Sequence, residues 1–167
     1  MKIIDTKLKH NIGRYIFQCF LATLAILIVL LFLDVLKHTA IIASLGATAF
    51  IVFATPKSYP SLPRPLIGGY IVGIFVGSLC YLLSTSSWIL ALVPTQKLLH
   101  LIFGSLAVGI SIFLMVITDT EHPPAAGIAL GLVINEWDYR TIIFIISGVL
   151  VLFLIKILLR SVLVDLR

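Results

Sequence analysis

One stretch concentrates the chain's chemistry: Asp119-Thr120-Glu121-His122-Pro123-Pro124-Ala125-Ala126-Gly127. It interrupts a long apolar run, Leu98 to Thr118, and a short one, Ile128 to Ile134. An imidazole titrates near neutral pH and can both donate and accept a hydrogen bond, so His122 can hold a solute or carry a proton. Pro123 and Pro124 lack N–H donors, so the helix from Leu98 is expected to end near Glu121 and a new one to start at the prolines. A helix start carries partial positive charge and attracts anions, and the small Ala125-Ala126-Gly127 lets a ligand come close. The stretch Ser44-Leu45-Gly46, with Thr48 beyond it, reads as a matching helix start. Two such starts facing each other would make an anion site from His122, Pro123, Pro124, Ala125, Ser44, Gly46 and Thr48. Asp119 and Glu121 could share a coupled proton with His122, form a solvated turn, or pair with Arg64 or Lys57. The trio could also ligate a metal, although no second histidine cluster supports this. His122 could equally serve as a cap on the broken helix.

These groups sit in an apolar chain. Of its 167 residues 60% are hydrophobic and 11% charged, with mean hydropathy +1.19. Soluble domains carry about 25% charged residues. The chain therefore reads as a single polytopic membrane domain over 1–167. The net charge of +5 gathers near the ends, at Lys2, Lys7, Lys9, Arg14 and at Lys156, Arg160, Arg167. In a membrane protein this is cytoplasmic-side bias rather than a nucleic-acid surface. Cys19 and Cys80 fall in apolar runs and read as buried thiols. Lys156 reads as a side chain snorkelling to the interface.

Six membrane segments follow from hydropathy: about Tyr15 to Leu33, Thr39 to Thr55, Leu66 to Leu83, Leu98 to Thr118, the short run to Ile134, and Thr141 to Leu159. Asp34, Lys37 and His38 close the first. Residues 1–14 and 160–167 are expected to be cytoplasmic, with a basic amphipathic tail after 159. Pro56, Pro60, Pro63 and Pro65 fill the second connection with Lys57 and Arg64. Gly69, Gly73 and Gly77 recur every four residues on one helix face, a close-packing seam or, alternatively, a pore lining. The order long, short, long repeats, so the fold is expected to be all-α with two inverted three-segment repeats whose second and fifth segments are short or broken. Such matched interruptions point to a transport site near the bilayer midplane. Trp88, Trp137 and Tyr139 would then share the outer interface. Segments two and five could instead be re-entrant, leaving four spans.

Three blocks in order resemble the HPP family of integral membrane proteins. They are Thr120-Glu121-His122-Pro123-Pro124-Ala125-Ala126-Gly127, Ala43-Ser44-Leu45-Gly46-Ala47-Thr48-Ala49 and Pro63-Arg64-Pro65-Leu66-Ile67-Gly68-Gly69. Leu62 stands where that family usually has Gln. The resemblance implies a membrane protein linked, in plastid and cyanobacterial members, to nitrite transport. By matching position it singles out Ser44, Gly46, Thr48, Arg64, His122, Pro123 and Pro124. The expectation is a transporter or channel for a small monovalent anion, nitrite first, in a bacterial inner membrane. Both termini would be cytoplasmic. The protein would be a homo-oligomer without metal or cofactor, with Arg64 and Lys57 drawing anions to the mouth or, alternatively, Arg64 anchoring to phosphate headgroups. A non-transporting partner subunit and a metal-dependent intramembrane enzyme are the alternatives.

Overall fold

The computed structural model describes residues 8–30, 39–92, 95–135 and 138–166. The expected end of the first segment with Asp34, Lys37 and His38, the basic residues Lys2 and Lys7, and Trp137 lie outside them. The described residues form α1 (Leu8–Leu30), α2 (Thr39–Ala54), a 3-10 turn (Tyr59–Ser61), α3 (Pro63–Ser84), α4 (Ser87–Leu92), α5 (Gln96–Ile117), α6 (Pro123–Ile134) and α7 (Tyr139–Leu158). Among them α3, α5 and α7 are long and apolar enough to cross a bilayer, while α2, α6 and the Ile12–Ile28 part of α1 are shorter apolar helices. α4 falls between the expected third and fourth segments and was not anticipated from hydropathy.

The short helix α6 is the hub, packed against α2, α3 and α5. Lipid tails are as apolar as leucine, so helices associate in a membrane by close packing rather than by hydrophobic expulsion. Small residues make that closeness here. A Cβ built on Gly69 would come 2.7 Å from His122 Cβ, and one on Gly77 would come 2.8 Å from the Ala129 backbone; Gly73 lies against Ala125. The glycine face of α3 is thus a packing seam, and its register makes α3 and α6 parallel. Ile41, Ser44 and Thr48 of α2 meet Gly131, Gly127 and His122 in reverse order, so α2 and α6 are antiparallel.

The break before α6 has a defined geometry. Thr120 N–H bonds Met115 O and Asp119 N–H bonds Val116 O, while Asp119 takes φ 55°. That is a Schellman-type stop with a left-handed residue after the cap. It ends α5 at Ile117, four residues before the expected end near Glu121, because the stop is made by Asp119 and not by the prolines. Pro123 does start α6, as its missing N–H and fixed φ predict.

Beyond α7 the chain turns and runs back under the bundle rather than trailing as a free tail. Leu166 N–H bonds Ala54 O, Asp165 accepts Lys57 N–H at 2.9 Å, and Leu163 and Leu166 are buried. Gln18 of α1 joins this end, donating to Phe53 O at 2.6 Å and Val164 O at 2.9 Å. Cys80 is buried as expected, but Cys19 is exposed, because α1 turns Gln18 and Ala25 inward instead.

Candidate functional site

His122 is fully buried where the break before α6, α2, α3 and the 3-10 turn meet. Its Nδ1 lies 2.8 Å from Pro60 O and its Nε2 lies 2.9 Å from Thr48 Oγ1. Thr48 Oγ1 lies 2.7 Å from Tyr70 Oη. The roles follow from chemistry. A carbonyl can only accept, so Nδ1 carries the hydrogen, and in the neutral ring Nε2 accepts. Thr48 has one hydroxyl hydrogen and gives it to Nε2. Tyr70 must then donate to Thr48. One directed chain results: Tyr70 to Thr48 to His122 to Pro60. The Tyr70 and His122 rings also lie 5.4 Å apart between centroids, tilted by 39°. A buried polar chain in an apolar bundle is costly unless every member is satisfied, and here each is.

The 3-10 turn Tyr59–Ser61 closes this end, and each of its residues is held by a different side chain, two from the break before α6 and one from α7. Tyr59 donates to Asp119 at 2.6 Å, Pro60 O accepts from His122, and Ser61 O accepts from Lys156. Lys156 therefore turns inward onto the turn and does not snorkel out. The hydrogen bond to Asp119 raises the Tyr59 hydroxyl above its ordinary pKa.

Several expected site residues are elsewhere. Thr39 starts α2, so Ser44-Leu45-Gly46 lies in its second turn and is not a helix start. Ser44 bonds back to Ala40 O at 2.9 Å, and Gly46 has nothing within 4 Å of a built Cβ, facing away from the site. Because α2 and α6 are antiparallel, the two helix starts do not face each other; the α6 start meets Thr48, nine residues and about 14 Å along α2. Nor does α6 offer free donors. Pro123 and Pro124 have none, and Ala125 N–H bonds His122 O at 2.9 Å. The anion site built from opposed helix starts is thus overturned.

Asp119 and Glu121 are both exposed, and among the described residues no hydrogen bond joins either to His122. Asp119 pairs with Arg64 at 3.1 Å, and Arg64 also donates to Thr118 O at 2.9 Å. The acidic residues and His122 are thus turned apart rather than onto one metal or one proton. Lys57 is exposed, engaged through its backbone to Asp165. The Arg64–Asp119 pair is more than 60% exposed on both sides, so Arg64→Gln is expected to lower stability by less than about 1 kcal/mol, and less still in high salt. Thermal unfolding in detergent at two salt concentrations checks this.

Tyr70, Pro60, Ser61 and Gln18 were not singled out from sequence. Tyr70 carried a signal: a hydroxyl inside an apolar segment, next to Gly69 on the seam, needs a partner. Pro60 contributes only a backbone carbonyl, which no side-chain pattern reveals.

The family model described as HPP, transmembrane region, matches residues 7–165. The chain belongs to the HPP transmembrane family. A transmembrane protein of Dictyostelium discoideum is 36% identical over 119 residues, covering 68% of this chain. The chain spans 39% of that relative's length. No solved structure matches. The HPP residues His122, Pro123 and Pro124 thus have distinct jobs here: His122 joins the polar chain, while the prolines start α6 without leaving N–H groups behind.

Proposed function

We propose that this HPP protein moves a small monovalent anion, nitrite first, across the membrane together with a proton. The observation that carries the reading is the Tyr70–Thr48–His122 chain. An ionisable residue buried among membrane helices is a transport or relay group by default. A proton arriving on His122 Nε2 would make that nitrogen a donor. Thr48 would then accept from it and turn its own hydrogen to Tyr70. The Tyr70 hydrogen, no longer used by Thr48, would be free to bind an anion. Proton and anion would thus favour each other's binding, as coupling requires. The donors to the anion are side chains, since the α6 start has no free N–H groups.

Six crossings in two inverted halves are part of this reading. The antiparallel α2 and α6, and the return of the segment after α7 to the C-terminal end of α2, support it. The inner face would be the His122 end, where Arg14, Lys57, Arg64 and Arg160 are exposed; the exposed Trp88 and Tyr139 would lie at the outer interface. The location would be the bacterial inner membrane, with both chain ends cytoplasmic. The protein acts as a transporter and not as an enzyme in this account. The glycine seam is occupied within the chain, so a homo-oligomer would have to use another surface, such as the apolar groove of about 730 Å³ between α3 and α7.

The test is nitrite uptake into proteoliposomes, set against protein-free vesicles. Accumulation above the external concentration when the outside is acidic, and equilibration without the gradient, is the expected result. No uptake by folded, inserted protein would remove nitrite from the account.

A further inference from the structure

Beside the polar chain lies a second group that its chemistry does not use. Ser61 is fully buried, and its Oγ has no hydrogen-bond partner. A buried hydroxyl left alone costs about 1–3 kcal/mol, so the group calls for an explanation, and a ligand is one such explanation. The carbonyl of the same residue accepts from Lys156 Nζ. A serine's hydroxyl and carbonyl oxygens lie about 3–5 Å apart by covalent geometry, so the ammonium on the carbonyl lies within about 8 Å of the unpartnered hydroxyl. Lys156 is half-buried two residues before the end of α7. Among the described residues its one hydrogen bond is to Ser61, which leaves two of its three donors.

We propose that Lys156 and Ser61 form an anion-binding subsite at the inner end of the pathway, taking a small oxyanion of the size and charge of nitrite. The proposal rests on the transport reading above and names two of its binding residues. The ammonium supplies charge-assisted hydrogen bonds, and the hydroxyl donates to a second oxygen of the same anion. A carboxylate is nearby: Asp165, within electrostatic reach of Lys156, accepts Lys57 N–H at 2.9 Å and keeps its negative charge, so an anion must compete with it for the ammonium. Binding also has a structural consequence. An anion on the two spare donors shares the ammonium with the Ser61 carbonyl and so bears on one of the three anchors of the Tyr59–Ser61 turn. The neighbouring anchor is His122 on Pro60. Anion binding at the subsite is therefore linked to the polar chain through one turn.

The experiment measures nitrite-dependent thermal stabilisation of detergent-solubilised protein, with gluconate at equal ionic strength as control. Wild type, Ser61→Ala, Lys156→Met and Lys156→Arg are compared. Ser61→Ala removes an unpartnered hydroxyl, so the unfolding temperature without nitrite should stay or rise, while nitrite affinity falls about tenfold, the equivalent of ~1.4 kcal/mol. Lys156→Met should abolish the nitrite response, and Lys156→Arg should restore part of it. Wild-type nitrite affinity in Ser61→Ala overturns the subsite, whether or not the unfolding temperature changes, and leaves the transport reading standing. Should Lys156→Met fail to fold, Ser61→Ala alone decides. No nitrite response in wild type, together with no uptake, overturns the transport reading itself and the subsite with it.

Discussion

Gly77→Leu is expected to leave no stably folded bundle. The Cβ alone would come 2.8 Å from both Cα and O of Ala129 and 3.1 Å from Leu132 Cβ. These are mostly backbone atoms of the buried hub helix, which cannot swing aside as a side-chain end can. Overpacking typically costs about 1–3 kcal/mol when neighbours yield. Here they do not, and a cost at or above the top of that range consumes much of a domain's roughly 5–15 kcal/mol. The better helix propensity of leucine, about 1 kcal/mol over glycine, does not offset it. Gly109→Leu makes the control. Nothing lies within 4 Å of a Cβ there, so the propensity gain stands alone and stability should hold or rise. Size-exclusion profiles and thermal unfolding of the two variants in detergent distinguish them. Equal behaviour would contradict the packing of α6 into the α3 seam.

The second large effect concerns the polar chain, where two substitutions separate transport from folding. His122→Ala removes the partner of both the Thr48 hydroxyl and the Pro60 carbonyl and leaves a cavity. We expect uptake to vanish and stability to fall by about 3 kcal/mol or more. That variant alone cannot tell a relay from a clasp. Tyr70→Phe can. It removes one oxygen at the end of the chain, keeps the ring against His122, and leaves Thr48 free to go on donating to Nε2. Its stability cost should be about 1 kcal/mol. If Tyr70 is the donor that protonation of His122 frees for the anion, uptake should nevertheless fall about tenfold or more. A residue serving only packing would show neither.

Much of the helix pattern was legible from the sequence because apolar length and proline chemistry are local. The start of α2 at Thr39, the start of α6 at Pro123 and the seam of Gly69, Gly73 and Gly77 all follow from residues within a few positions of one another. The end of α5 was misplaced because the prolines were read as the stop, whereas Asp119 adopts φ 55° and closes the helix earlier. The candidate site was legible only in part. His122 and Thr48 are brought together as anticipated, but by side-chain contact between antiparallel helices and not by opposed helix starts. The paired-start idea needed the relative direction of α2 and α6, which no local pattern carries. It also overlooked that two prolines remove the very donors it invoked. Tyr70, Pro60 and Ser61 are contributed across long sequence separations, and two of these contributions are backbone carbonyls. Lys156 was read from its place near a helix end, which favours snorkelling, while its actual partner lies 95 positions away.

The most direct test of the central claim is acid-driven nitrite uptake by Tyr70→Phe beside wild type, at matched reconstitution and with unfolding temperatures in hand. The account predicts a folded variant, slightly less stable, whose uphill uptake is reduced about tenfold or more. Wild-type uptake by folded Tyr70→Phe would contradict it and leave the Tyr70–Thr48–His122 chain as a clasp that holds α2, α3 and α6 together.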